Sequence, residues 1–377
     1  MVRFLHTADW QLGMSRHFLD DDAQARFAAA RFEAVAAIAR IATEHACEFV
    51  VVSGDVFETN QLDRKTVRRA LESMASFSMP VFLLPGNHDP LDAATVYRSP
   101  VFLAHCPKNV RVLTDTAPIV VRDGVEVLGA PWTSKRPLQD LVAAACDSLS
   151  ARADVVRVLV GHGALDSASP DAANPALIDS SALNAVIRAG AIHYVALGDR
   201  HSKTSCGDTG RVWYAGTPEP TAFDEVDPGH VLVVECDNAQ CKVTPVQTAT
   251  WRFVEHAMRV SNDVDVAALS GFLHALPAKN RTVVKLVLVG TVSLAVHARL
   301  MEVIDNAREL FAALTLSEGR QDLVVLPVDE DFSSLPLTGF AKDALDELRE
   351  VAQRNTAESI RANDALSLLV RLSRRDV

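Results

Sequence analysis

Residues 49–55 read Phe49-Val50-Val51-Val52-Ser53-Gly54-Asp55, an apolar, β-branched run that stops at a glycine and a carboxylate. Such residues pack well on a pleated sheet, so Phe49 to Ser53 is expected to be a strand with Asp55 just past its carboxyl end. The arrangement repeats outward along the chain. Phe4 to Thr7 precedes Asp9, and Val81 to Leu84 precedes Asn87 and His88. Val155 to Val160 precedes His162, and Tyr194 to Leu197 precedes Asp199 and His201. Between the first two strands, Phe27, Ala30, Ala34, Ile38 and Ile41 recur at helical spacing, and a second helix begins at Asp63 with Val67, Leu71 and Met74 inward. This alternation predicts an α/β sheet whose loops beyond the strand carboxyl ends meet at one edge, the edge where ligands bind in such folds.

Val212 to Ala215 reads as a further strand. Asp123-Gly124, between Ile119 to Arg122 and Glu126 to Leu128, predicts a type I′ hairpin, which makes part of the sheet antiparallel. Near Trp251 the pattern changes. Strand Phe253 to Val260, helix Val264 to Leu276, strand Val283 to Val289, helix Leu294 to Leu314 and strand Leu323 to Pro327 predict a small β-α-β-α-β domain. A third piece runs from Leu335 to the end, with Leu345, Leu348 and Val351 on one helix face and Leu366, Leu369 and Leu372 in a second apolar stretch. The expected division is therefore residues 1–250, 251–332 and 333–377.

Bulk properties narrow the function classes. The 377 residues exceed one compact core and suit a large domain of about 200 to 250 residues with appendages. A net charge of −11 argues against a stand-alone nucleic-acid-binding module that relies on phosphate neutralisation. Clustered carboxylates around bound cations would account for the same acidity. The six cysteines include no CxxC pair; the closest two, Cys236 and Cys241, have four residues between them, so neither a zinc ribbon nor a disulfide framework is expected. With no leader-like N-terminus and no run of about 18 apolar residues, a cytoplasmic, non-membrane protein is expected.

Oxygen donors and imidazoles brought to one sheet edge would make a strongly negative pocket unless cations filled it, and that donor mixture suits Mn2+, Fe2+ or Zn2+. The wording of the strand ends carries more. His6-Thr-Ala-Asp9-Trp-Gln11-Leu-Gly, Gly54-Asp55-Val-Phe, Gly86-Asn87-His88-Asp89, Gly161-His162-Gly and Gly198-Asp199-Arg-His201, in this order, resemble the signatures of the calcineurin-like metallophosphoesterases. Within that superfamily they are most similar to the SbcD-type DNA double-strand-break repair nuclease subunits and their YhaO-like relatives. The resemblance spans roughly the first 225 residues, ending after Trp213-Tyr-Ala-Gly216-Thr-Pro-Glu-Pro.

The resemblance implies a four-layer α/β/β/α metallo-dependent phosphatase fold with a small α+β capping domain and C-terminal helices. It implies two divalent metal ions, Mn2+ foremost and Mg2+, Fe2+ or Zn2+ as alternatives. One ion falls to Asp9, Gln11, Asp55 and His201, the other to Asp55, Asn87, His162 and Asp199, with Asp55 bridging. His88, held by Asp89, takes the catalytic role of stabilising the pentavalent phosphorus or protonating the leaving oxygen. The implied activity is hydrolysis of DNA phosphodiesters. The implied partners are DNA, an SMC-like coiled-coil ATPase subunit and a second copy of the chain.

Two positions depart from the family pattern, which has histidine where this chain has Gln11 and Asp199. Gln11 keeps a carbonyl oxygen on the face of Asp9 but is a neutral, weaker donor; Asp199 offers a hard charged oxygen that shifts preference toward Mn2+ or Mg2+. The readings that remain beside a nuclease are a small-molecule or protein phosphoesterase of the same fold and a catalytically weakened scaffold subunit. Other features have two readings each. Arg64, Lys65, Arg68 and Arg69 are a solvated helix face or a phosphate contact, Trp10 is a packing residue or a base-stacking one, and His6 reads as a core or supporting histidine.

Overall fold

A computed structural model of the chain describes residues 1–326 except 148, 170 and 172, residues 338–352, and positions 358, 361, 362, 365, 366 and 369. The chain folds into two compact units, Met1–Arg252 and Phe253–Val377.

The first unit opens with β1 (Val2–Thr7), α1 (Asp21–Glu44), β2 (Val50–Val52), α2 (Arg64–Met74), β3 (Val81–Leu83), α3 (Pro100–His105) and β4 (Val110–Val112). The helices start where the sequence supplies caps. Asp20 accepts from Ala23 N at 2.7 Å, and Asp63 accepts from Lys65 N and Thr66 N at 2.8 and 3.0 Å. β5 (Ile119–Arg122), β6 (Val125–Gly129), α4 (Leu141–Cys146), β7 (Val156–His162), α5 (Ser180–Arg188), β8 (Tyr194–Gly198), β9 (Thr204–Cys206), β10 (Val212–Tyr214), β11 (His230–Cys236) and β12 (Cys241–Gln247) follow. They form two six-stranded sheets, ordered β12-β11-β1-β2-β3-β4 and β5-β6-β7-β8-β10-β9.

Period-two alternation assigns each strand residue to a layer. Phe4, Phe49, Val51 and Phe82 of the first sheet meet Val127, Val158, Tyr194 and Ala196 of the second in one buried core. Leu5, Val50, Val52, Val81 and Leu83 point the other way, onto Val35 and Ile38 of α1 and Val67 and Leu71 of α2. Leu128, Leu159, Val195 and Leu197 pack on Val142 of α4 and Leu183 of α5. The result is the expected four-layer α/β/β/α arrangement. Burying one Val, Leu or Phe contributes about 1.5–3 kcal/mol, so each of these three cores is a substantial stabiliser of this unit.

The hairpin joining β5 and β6 is antiparallel as expected, but the turn differs from type I′. That turn needs positive φ at both central residues; here only Gly124 has it (φ 76°), and the ladder shifts register between Val120 and Arg122. One left-handed glycine beside a register shift is the bulged hairpin in place of the simple two-residue one.

The second unit contains β13 (Arg252–Arg259), α6 (Asp263–Ala275), β14 (Thr282–Ser293), α7 (Leu294–Arg308), β15 (Ala313–Leu316), β16 (Asp322–Leu326) and α8 (Phe340–Ala352). β14 is central, bonded to β13, β15 and β16. The helix expected to continue to Leu314 ends at Arg308. Ala312 N donates to the carbonyls of Lys279 (2.8 Å) and Thr282 (3.1 Å), and this tertiary pairing, not further helix, leads the chain into β15 beside β14. Leu345 is buried on α8, with Leu348 and Val351 half-buried; Pro327, Leu335 and Leu372 lie outside the described residues. Among the described residues no helix is long and apolar enough to cross a membrane.

Candidate metal centre

The loops after β1 and β2 continue the strand pairing beyond the sheet. Asp9 N donates to Gly54 O (3.1 Å), Gln11 N to Asp55 O (2.8 Å) and Leu12 N to Val56 O (2.9 Å). This zipper requires unusual backbone. Asp9 (φ 52°), Gln11 (φ 44°), Asp55 (φ 52°) and Asp199 (φ 94°) are four of the six non-glycine residues with positive φ among those described. Each costs on the order of 1 kcal/mol or more relative to glycine, and such strain gathers at functional sites.

The strained backbone aims side chains at one point. Asp9, Asp55 and His162, all buried, each offer a donor atom within 4.8 Å of the others. His162 Nδ1 lies 2.9 Å from Ser53 O. A carbonyl only accepts, so Nδ1 carries the hydrogen and donates it, leaving Nε2 turned to the cluster. Nε2 is 2.7 Å from the Asn87 side chain, 3.4 Å from Asp55 Oδ1 and 3.8 Å from Asp199 Oδ1. With its amide rotated, Asn87 donates to both Asp55 oxygens (3.1 and 3.2 Å) and to His162 Nε2; with a cation present its carbonyl can take that place. Asp199 N donates to both Asp9 oxygens, at 3.0 and 3.2 Å. Gly86 permits the close approach, since a Cβ there would overlap Asp55 Oδ1.

Gln11 and His201 form the neighbouring part. Gln11 Nε2 is 3.4 Å from His201 Nε2, and Gln11 Oε1 is buried without a hydrogen-bond partner. His201 Nδ1 contacts Glu225 Oε1 at 2.9 Å and Thr221 Oγ1 at 2.8 Å. Glu225 also accepts from Thr221 N (3.0 and 3.1 Å), so it fixes the imidazole and leaves Nε2 free to donate its lone pair.

The electrostatics fit a cation-selecting pocket. Burial pushes the Asp9 carboxyl up to about 7, against the opposing pull of His201 and His162. Burial would lower His162, but Asp55, Asp199, Asp9 and the Ser53 carbonyl outweigh it and raise the imidazole to about 9. At His201 burial is likewise outweighed, by the Glu225 hydrogen bond and the charge of Asp9, and the net shift is upward. The pocket thus favours positive charge at the imidazoles, where a proton and a metal ion compete for the same lone pair. Converging carboxylates, exposed imidazole lone pairs and the orphaned Gln11 oxygen together make a donor set that could hold divalent metal.

His88 stands at the rim, with Nε2 3.9 Å from Asp55 Oδ2. Asp89 does not hold it. The Asp89 carboxylate instead accepts from Gly86 N (2.7 Å), Phe57 N (3.0 Å) and Tyr97 Oη (2.6 Å), bracing the loop from below. Adjacent side chains of the tight turn diverge, so sequence adjacency misassigned the pair. His88 Nδ1 donates to Glu58 O at 2.9 Å, with Glu58 Oε2 3.8 Å away. Glu58 Oε2 has no hydrogen-bond partner, and burial raises its carboxyl. Glu58 follows Asp55 by three residues, a spacing that could have signalled it. Glu225 and Arg16 carry no such signal.

The site opens into a cleft of about 490 Å³ whose lining includes Gln11, Arg16, Glu58, His88, Arg200 and His201. Arg16 Nε donates to Thr221 O at 2.9 Å, and no carboxylate among the described residues lies within ion-pair distance of its guanidinium. Trp10 is buried, donates to Thr7 Oγ1 (2.9 Å) and stacks on Phe77, so it packs rather than faces a ligand. His6 is a core residue bonded to Tyr194 Oη (3.0 Å) and Leu197 O (3.2 Å). Arg64, Lys65, Arg68 and Arg69 are exposed on α2 and do not line the cleft.

The SbcD subunit of the SbcCD nuclease of Escherichia coli K12 is 24% identical over 407 aligned residues, covering 94% of this chain and 95% of that one. The DNA double-strand break repair protein Mre11 of Archaeoglobus fulgidus is 33% identical over 91 residues, 23% of this chain and 19% of that one. The crystal structure of a dimetal phosphatase from Danio rerio aligns with 64% of this chain and 98% of its own at 10% identity and a TM-score of 0.37. The family model for calcineurin-like phosphoesterases matches residues 2–202, which contain every strand-end donor described above. The chain belongs to the calcineurin-like phosphoesterase family.

Proposed function

We propose that this chain is a metal-dependent phosphodiesterase acting on DNA in break repair. The observation that carries the reading is the convergence of Asp9, Asp55, His162 and Asn87 close to His88, which with Gln11, Asp199 and His201 lines an open cleft. Asp9, Gln11, Asp55 and His201 would hold one cation, and Asp55, Asn87, His162 and Asp199 the other. Such ions, Mn2+ foremost with Mg2+, Fe2+ or Zn2+ as alternatives, supply Lewis acidity toward a phosphoryl oxygen and acidify an attacking water.

The protein's own groups do the rest. His88, its Nδ1 fixed on the Glu58 carbonyl, presents Nε2 to the leaving oxygen and donates a proton there; the Glu58 carboxylate stabilises the imidazolium before transfer. Arg16 and Arg200 place positive charge at the mouth of an otherwise acidic cleft, where backbone phosphates of a polynucleotide enter. DNA as substrate is supported by alignment with a nuclease subunit along nearly the whole length of both chains. We extend this to docking of the half-buried C-terminal apolar residues Leu348, Val351 and Leu369 on an SMC-like ATPase partner, to a homodimer and to a cytoplasmic location.

Gln11 favours one second reading, in which its weaker donor leaves that cation site empty and the chain serves as a structural subunit. Purifying the protein with Mn2+, counting bound metal and comparing cleavage of single-stranded DNA, duplex ends and nitrophenyl esters separates these readings. Asp55→Asn is expected to lower hydrolysis by at least about 10³-fold, several kcal/mol of transition-state stabilisation. DNA cleavage that persists in Asp55→Asn overturns the proposal; bound metal with ester but no DNA cleavage assigns a small phosphoester instead.

A further inference from the structure

Cys236 and Cys241 face each other across the β11–β12 hairpin in direct register. Asp237 N donates to Gln240 O at 2.9 Å, closing the turn with a hydrogen-bonded pair. The next pair out, Cys236 and Cys241, is therefore non-hydrogen-bonded, the site type at which Cα atoms approach to about 4.5 Å and side chains come closest. That separation lies inside the range that a disulfide spans. Both thiols are free.

The surroundings differ from those of an inert buried thiol. Arg211 Nη1 lies 3.5 Å from Cys236 Sγ and also binds the carbonyls of His193 (2.7 Å) and Asp237 (3.2 Å), so the guanidinium is fixed beside the sulfur. Cys236 Sγ donates to His193 O at 3.3 Å; the neighbouring Cys241, with help from Arg211, holds Cys236 below the usual thiol range, while Cys236 and burial push Cys241 above it. Cys47 and Cys146, by contrast, are pushed up to about 11 by burial. Cys236 is buried, while Cys241 is half-buried on an edge strand where a small oxidant can reach it.

We propose that Cys236 and Cys241 are a reversible redox pair that forms a cross-strand disulfide with peroxide as the oxidant. Proton exchange between the facing thiols lets Cys241 attack as thiolate. It breaks the peroxide O–O bond, forming Cys241–SOH and one water. Cys236 thiolate, beside Arg211, then attacks the Cys241 sulfur; the S–S bond forms and hydroxide leaves, taking a proton to become the second water. Two thiols lose two electrons and two protons, and one peroxide is reduced to two waters. The bridge staples β12, the last strand of the first unit, to β11.

The test treats the reduced full chain with hydrogen peroxide, alkylates the remaining thiols under denaturing conditions and digests with trypsin. No lysine or arginine lies between Val212 and Lys242, so both cysteines fall in one peptide. That peptide is expected to lose two hydrogens and take no alkylating label, to regain both labels after a thiol reductant, and the oxidised chain is expected to melt higher than the reduced one. Cys241→Ser is expected to abolish both the bridge and the melting shift. Labelling of both cysteines at peroxide levels that oxidise exposed thiols overturns the proposal, as does bridging of either to another cysteine. Cys241→Val, which keeps a strand-forming side chain, repeats the comparison if the serine variant folds poorly.

Discussion

The imidazole Nε2 of His201 lies 3.4 Å from the amide nitrogen of Gln11, while the amide oxygen of Gln11 is buried and unpaired. An amide has turned its donor toward an imidazole lone pair at a place where two acceptors would suit a cation. Gln11→His adds a second imidazole there. We expect about tenfold tighter Mn2+ binding, about 1.4 kcal/mol, by calorimetric titration. Unchanged affinity and stoichiometry would remove Gln11 from the donor set.

His88 and Asp89 are adjacent in sequence and have different jobs. His88→Gln is expected to reduce hydrolysis by about 10²–10⁴-fold, as the proposed proton donor, with little change in melting temperature, because its side chain is more than a third exposed (37%). Asp89→Asn replaces one of the two accepting oxygens with an NH2 that faces Gly86 N, or else Phe57 N and Tyr97 Oη, and should cost about 1–3 kcal/mol of stability. Denaturant melts alongside single-turnover rates distinguish the two; a His88 variant that keeps full activity refutes its role.

The metal-stripped protein should lose stability as pH rises from about 6.5 to 9. His162 is held at about 9, above its ordinary 6.5, so its contribution is full below 6.5 and disappears through 9. Asp9, raised to about 7, has the same sign and completes its loss near neutrality. The combined drop is on the order of 2 kcal/mol, and saturating Mn2+ flattens it because the ion replaces the proton. Chelator-treated samples melted at both ends of this interval provide the check, and a rise in stability with pH contradicts it.

Arg16→Gln is expected to raise KM for DNA about five- to tenfold with a smaller change in kcat. The slope of log affinity against log salt should shrink by about one, as for one lost phosphate contact. If Arg16 only pins the Thr221 carbonyl, the salt slope stays as it was and Mn2+ binding near His201 weakens instead.

The strand-end donors were legible because each follows a local signal, a β-branched run ending in a polar residue, and parallel strands must deliver such residues to one edge. Side-chain direction beyond the strands was not. Whether Asp89 or Glu58 stands behind His88 depends on the backbone of the turn, and Glu225 lies 24 residues from the His201 it orients. Likewise Leu294 to Leu314 is apolar enough at helical spacing throughout; only the pairing of Ala312 with Lys279 and Thr282 shows where helix yields to strand.

Asp9, Gln11, Asp55 and Asp199 hold a backbone shape that glycine would adopt freely, yet glycine carries no donor. Stability and the proposed chemistry therefore select opposite residues at the same four positions. Drift toward glycine there would yield a sturdier, inert protein, so a laboratory selection for heat resistance alone should erode this site before it touches the core.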